Sequence, residues 1–298
     1  MNLAERLIDP KSPDRKPRRA AYALPTFFTA GNVFLGFYAI MESFFGAMQT
    51  ATAGGAAQQH FTQACVAIGA AVFLDGLDGR IARMTNTVSD FGREMDSMAD
   101  VVTFGIAPAV MAFAWGIEFT SNPPAPFTME QLRRAGYFFS FIYLLCGAMR
   151  LARFNIQTNP VPKNPGRPDR KYFVGMPIPS AAAAIAAIIF AAGSLPLRSW
   201  QFSVAWLCLL GLLAFLMVST WRYPSFKDLN FVKPQSPISF VFTGAAIYMV
   251  WTFPQPVLLA MAVSYVGSGI VIRVGGLVRR RWRGHQHPQP PPTEQHVG

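Results

Sequence analysis

Two short runs in this chain carry carboxylates at spacings that suit metal and phosphate chemistry. The first is Asp75-Gly-Leu-Asp78-Gly79-Arg-Ile-Ala82-Arg83 and the second, eight residues later, is Gly92-Arg-Glu-Met-Asp96-Ser-Met-Ala-Asp100. Both abut apolar stretches. An acidic group in or beside hydrocarbon costs several kcal/mol unless it is paired or bound to a cation. On a helix, Asp75, Asp78, Gly79, Ala82 and Arg83 fall at i, i+3, i+4, i+7 and i+8, one face. Gly92, Asp96 and Asp100 fall at i, i+4 and i+8, one face of the next helix. The short connection around Asn86 makes the two helices antiparallel neighbours, so the faces can meet near one side of a membrane. Four converging carboxylates repel strongly unless cations sit between them. Oxygen-only donors select hard ions, Mg²⁺ or Mn²⁺, which also bridge phosphate oxygens. No His or Cys stands nearby, which argues against zinc. Gly79, Ala82 and Gly92 remove side-chain bulk where a charged ligand must approach the backbone, and the fork of Arg83 suits phosphate oxygens. Each small residue alone is equally explained by tight helix packing; four aspartates on two facing surfaces are not.

The elements that must position these groups are membrane helices. The chain is 52% hydrophobic and 14% charged, with a positive mean hydropathy, far from the balance of a soluble domain. Eight stretches approach the roughly 20 residues that cross a bilayer: Leu24–Phe45, Phe61–Arg83, Gly92–Ile117, Ala135–Arg153, Pro177–Gly193, Gln201–Val218, Ser236–Trp251 and Pro254–Arg273. With the N-terminus in the cytoplasm, this count puts all but Arg133, Arg134 and Arg198 of the 26 lysines and arginines on the cytoplasmic side. That asymmetry is what the positive-inside rule predicts for short loops, and it places both termini in the cytoplasm. The net charge of +11 therefore reads as membrane orientation, and no nucleic-acid partner is expected. No cleaved leader is expected either, since the N-terminus lacks an apolar core of signal-peptide length. Residues 1–23 read as a basic arm able to form a short helix on an anionic membrane surface. Residues 24–273 read as the membrane domain, and 274–298 as a basic, then Pro/His/Gln-rich tail without the apolar content to fold. Phe154–Phe173 reads as a polar cytoplasmic loop. Cys65, Cys146 and Cys208 lie in apolar segments and read as packing residues. All four histidines (His60, His285, His287, His296) fall in loops or the tail.

The string D-x2-D-G-x2-A-R-x8-G-x3-D-x3-D, running from Asp75 to Asp100, resembles without departure the signature of the CDP-alcohol phosphatidyltransferases. Eight fixed positions at fixed spacing make the match specific. Thr29-Ala-Gly-Asn32, the run from Asp96 through Pro108, Cys146–Asn155 and Phe173–Pro179 are similar to the serine-using, membrane-integral branch of that family, the phosphatidylserine synthases. The resemblance covers about residues 24–190; the last spans are alike only in being apolar. It implies an all-α bundle of about eight transmembrane helices with a site open to the cytoplasm, and residence in the cell (inner) membrane, with membrane lipids around it. It implies transfer of the phosphatidyl group of CDP-diacylglycerol to L-serine with release of CMP, two divalent ions, and a homodimer. Carried onto these residues, Asp75, Asp78, Asp96 and Asp100 would hold metal, and Asp100 would also act as general base. Gly79, Ala82, Arg83, Ser89, Gly92, Thr29 and Asn32 would surround the CDP moiety.

Arg150 and Arg153, at i and i+3 on the end of the fourth span with Asn155 just beyond, have two readings. Cations there anchor topology, or they bind the serine carboxylate or a lipid phosphate; the serine-branch resemblance favours binding. Two other functions stay open on sequence alone. One is a sister enzyme using glycerol 3-phosphate, inositol phosphate or another alcohol. The other is a transporter relaying protons or cations through its aspartates, although such a protein needs polar groups at midplane in several spans.

Overall fold

The computed structural model describes residues 19–52, 56–85, 90–158, 172–224, 244–245 and 248–283. Side chains of residues 19–26, 78–85, 90–91, 93, 157–158, 172–173, 222, 224, 274 and 276–283 also lie outside what it describes. Helix α1 (Arg19–Ala51) and helix α2 (Ala57–Thr85) form a hairpin packed along their length. Helix α3 (Asp90–Asp100) passes without a break into a π-helical turn (Val101–Ile106) and then helix α4 (Ala107–Gly116). Helix α5 (Met129–Thr158), helix α6 (Ile178–Ala191), helix α7 (Trp200–Val218) and helix α8 (Pro254–Arg283) follow. Strand β1 (Tyr172–Val174) pairs antiparallel with strand β2 (Arg222–Pro224), Phe173 opposite Tyr223.

Among the described residues, five helices are long and apolar enough to cross a membrane: Ala57–Leu77, Glu94–Gly116, Met129–Ile156, Trp200–Val218 and Pro254–Arg273. These coincide with the second, third, fourth, sixth and eighth predicted spans, and the protein is a multi-pass membrane protein. The first predicted span lies within α1, a helix of 33 residues. The fifth is shorter than expected: α6 has 14 residues, about 21 Å of helix against a hydrocarbon core of about 30 Å. Its run of alanines and isoleucines is instead buried in protein, with Ala181, Ala182, Ile185 and Ile189 wholly enclosed. The seventh predicted span falls largely outside the described residues. The loop predicted over Phe154–Phe173 is narrower than that, because α5 continues to Thr158 and β1 begins at Tyr172. Helix α8 likewise runs through Arg283, into the segment read as tail. The proposed arm helix and the tail beyond Arg283 lie outside the described residues.

Large apolar side chains cover the outside as well as the core. Phe34, Phe37 and Phe44 on α1 and Phe138 and Phe141 on α5 are exposed, as expected of surfaces that meet acyl chains rather than water. Inside, Trp206 of α7 donates its indole N–H to the Ala112 carbonyl at 3.0 Å and sits edge-on to Trp115 at 5.0 Å. Such pairing matters in a membrane, where an unmet polar group has no water to turn to. At the far end of the α1–α2 hairpin, His60 lies in the first turn of α2 rather than in a loop. Its Nδ1 is 2.6 Å from the buried Glu42 carboxylate and its Nε2 is 3.1 Å from Gln49 Nε2. That pair closes the hairpin opposite to its aspartate end.

Candidate active site

The site is assembled from the cytoplasm-predicted ends of α2 and α3 and from α5. Asp75 projects from α2, Asp96 and Asp100 from α3, and one carboxylate oxygen of each lies within 4.8 Å of the others. Asp100 is buried, and Asp75 and Asp96 are half-buried. At that spacing and an effective dielectric near 20, each pair of charges repels by about 3 kcal/mol. The donor set is therefore one that a divalent cation relieves, and its hard oxygens fit such an ion. Asp78, Gly79, Ala82 and Arg83 lie on α2 with the helical phasing expected of them. Their side chains, and Ser89 altogether, lie outside the described residues. Gly92 is half-buried, one turn before Asp96.

What fixes Asp100 is the π turn directly after it. A π turn inserts an extra residue per turn and is kept where its disrupted backbone finds other partners. Here α5 supplies one for the turn's backbone, and α1 accepts from a side chain of the turn. Thr103 donates its hydroxyl to the Asn32 carbonyl of α1 at 2.9 Å, and Tyr143 of α5 donates its hydroxyl to the Phe104 carbonyl at 3.0 Å. The approach of α1 requires Gly36, because a Cβ there would stand 2.6 Å from Thr103 Oγ1. Thr29 and Asn32, expected at the CDP moiety, are buried in α1, and Asn32 Oδ1 has no hydrogen-bond partner among the described residues. Asn32 thus abuts the turn that holds Asp100.

The cationic pair is divided. Arg150 points inward: Asp100, Tyr265 of α8 and Asp75 act on its charge. Its Nε is buried with no hydrogen-bond partner among the described residues. Its guanidinium carbon lies 6.0 Å from the centre of the Phe154 ring. Arg153 is exposed, because α5 leaves the bundle after Leu151. Asn155 comes back to the site, donating its amide to Ser97 Oγ at 2.8 Å, next to Asp96. Sequence reasoning missed Thr103, Tyr143, Ser97 and Tyr265. A hydroxyl three residues after Asp100 in an apolar run was the one available signal for Thr103; the others are contacts across distant segments. Below Tyr265, burial first and the neighbouring Tyr265 second push the Tyr223 hydroxyl up to about 12, so Tyr223 is a neutral phenol.

Residues 22–218 match the family model described as CDP-alcohol phosphatidyltransferase. The chain belongs to this family. It is accordingly a membrane enzyme of the phosphatidyltransferase type, which disposes of the transporter reading. Among curated proteins it is 34% identical over 252 residues to the CDP-diacylglycerol–serine O-phosphatidyltransferase of Helicobacter pylori, spanning 79% of this chain and 91% of the relative. It is 31% identical over 204 residues to the protein of that name from Bacillus subtilis, 68% of this chain and 91% of the relative. Against the archaetidylserine synthase of Methanothermobacter thermautotrophicus it is 28% identical over 204 residues, 68% and 70% of the two chains.

Proposed function

We propose that this transferase moves the phosphatidyl group of CDP-diacylglycerol to the hydroxyl of L-serine, giving phosphatidylserine and CMP. The observation that carries the choice of serine is Arg150, a fork-shaped cation that feels the charges of Asp100 and Asp75 and whose buried Nε–H has no acceptor among the described residues. Serine is zwitterionic, and its carboxylate can supply such an acceptor. The serine-specific names of the relatives point the same way.

Asp75, Asp78, Asp96 and Asp100 would hold two divalent ions, Mg²⁺ or Mn²⁺. Such ions, when bound, neutralise charge on the pyrophosphate and on the departing CMP. The chain itself does the rest. Gly79, Ala82 and Gly92 leave room for the CDP backbone, Arg83 and Ser89 contact it, and Thr29 and Asn32 close the chamber from α1. Arg150 and Asn155 orient serine; Arg153, outside the cluster, is left to a lipid phosphate. Asp100 accepts the proton of the serine hydroxyl as its oxygen bonds to the β-phosphorus. The bond from that phosphorus to the CMP oxygen breaks in the same in-line displacement, and CMP leaves with the electron pair. No phosphatidyl-enzyme intermediate forms.

The deciding experiment measures CMP release from CDP-diacylglycerol by detergent-purified protein offered a panel of alcohols. Serine should exceed glycerol 3-phosphate and inositol phosphate by roughly 100-fold, since a site built around polar partners rejects ligands that leave them unmatched. Glycerol 3-phosphate outperforming serine would refute the acceptor assignment and leave the family untouched.

In the same reading, residues 24–273 form the transferase unit of a homodimer in the inner membrane, among membrane lipids. The arm 1–23 and the tail 274–298 are cytoplasmic, and the site opens to that side. Reporters fused at Met1 and Gly298 should both read cytoplasmic, and one at Asn122 should read external. A reporter at Lys163 on the external side would invert the topology.

A further inference from the structure

The turn behind Asp100 holds one residue more than an α-helix accommodates, and neighbouring helices grip it. The Ala107 N–H donates to the Val102 carbonyl, five residues back, which is the π pattern. In an α-helix the donor to the Phe104 carbonyl would be residue 108, but that residue is proline and has no N–H to give. The hydroxyl of Tyr143, a wholly buried residue of α5, donates to that carbonyl instead, at 3.0 Å. Helix α5 comes this close because residue 105 is glycine: a Cβ there would stand 2.8 Å from Leu144 Cδ1. From α1, the Asn32 carbonyl takes the Thr103 hydroxyl at 2.9 Å.

Relaxation of the turn to α-helical pairing would shift everything on one side of it by one residue, a rotation of about 100° and a translation of about 1.5 Å. The chain after the turn is anchored: Ala107, Met111 and Ala112 are wholly enclosed, and Trp206 bonds the Ala112 carbonyl. Helix α3, before the turn, has 11 residues and exposes Glu94 and Met98. The shift would therefore fall on α3 and carry Asp96 and Asp100 out of the arrangement in which their carboxylate oxygens lie within 4.8 Å of that of Asp75. We propose that Tyr143 is a positioning residue for the divalent-ion site: by meeting the Phe104 carbonyl it keeps the π turn, and the π turn keeps Asp96 and Asp100 in phase with Asp75. This rests on the aspartates holding the ions.

The test is the melting temperature of the full-length, detergent-purified protein titrated with Mg²⁺ alone or Mn²⁺ alone. Tyr143→Phe keeps the ring and removes only the donor. The ion concentration giving half of the rise in melting temperature should increase about tenfold in this variant, the worth of one hydrogen bond. CMP release should need correspondingly more metal, with the serine KM at saturating metal within about twofold of wild type. Thr103→Val, which removes the tie to α1, should raise the midpoint by a smaller factor. Trp206→Phe is the structural control, because it removes a buried bond to α4 beyond the turn. It should lower the ion-free melting temperature and leave the midpoint within about twofold. An unchanged midpoint in Tyr143→Phe, or an equal increase in Trp206→Phe, would overturn the proposal. Should Tyr143→Phe not fold, an unchanged midpoint in Thr103→Val would overturn it. A wild type whose melting temperature ignores both ions would refute the metal reading, and the proposal with it, before any variant is compared.

Discussion

Asp75→Ala should lower CMP release by roughly 10³-fold, in keeping with the loss of electrostatic stabilisation at a transferring phosphoryl group. The protein should nevertheless insert and fold. The two effects separate because of the sign of the interaction. Three carboxylate oxygens within 4.8 Å destabilise the cation-free protein by mutual repulsion. Removing one charge therefore leaves thermal stability without metal equal or higher, while it removes a ligand the bound ions need. Asp96→Ala should behave alike, and so should Asp78→Ala, one helical turn from Asp75. Chelation should abolish turnover of the wild type, and Mg²⁺ or Mn²⁺ should restore it. The same ions should raise the melting temperature of the wild type, since a ligand that binds only the folded state stabilises it, and should do so much less for Asp75→Ala. Full activity of any of these three variants at normal expression would remove the metal assignment.

The carboxylate cluster was legible in the sequence because helical phasing is a local property. Asp75 and the pair Asp96 and Asp100 are each placed by the spacing within one helix, and the short link around Asn86 leaves little choice of neighbour. The structure brings those three together as the phasing requires. The π turn was not legible. Val101–Ile106 is as apolar as its surroundings, and what selects it is a carbonyl on α1, a hydroxyl on α5 and the missing Cβ of Gly36. Those partners lie dozens of residues away in both directions. The length of α6 was misjudged for a related reason. An alanine- and isoleucine-rich run reads the same whether it faces lipid or protein, and only packing tells them apart.

Arg150 and Arg153 supply the second large effect, because spacing treats them as equals and the structure does not. At i and i+3 they share a helix face, yet Arg150 is half-buried and feels the charges of Asp100 and Asp75, whereas Arg153 is exposed. A cation in water contributes little to binding a carboxylate, since solvent screens the pair. A guanidinium with a buried N–H that has no acceptor among the described residues gains a charge-assisted and directional contact when the carboxylate arrives. Arg150→Ala should therefore raise the serine KM by roughly 100-fold, the worth of two hydrogen bonds to charged groups, and Arg153→Ala by no more than about threefold. Arg150→Lys should fall between wild type and Arg150→Ala, because it keeps the charge and loses the fork. Saturation by CDP-diacylglycerol should shift by less than the serine KM in all three variants. Equal penalties for Arg150→Ala and Arg153→Ala would mean that both act through the surface potential at the membrane face, and serine would then need another cation.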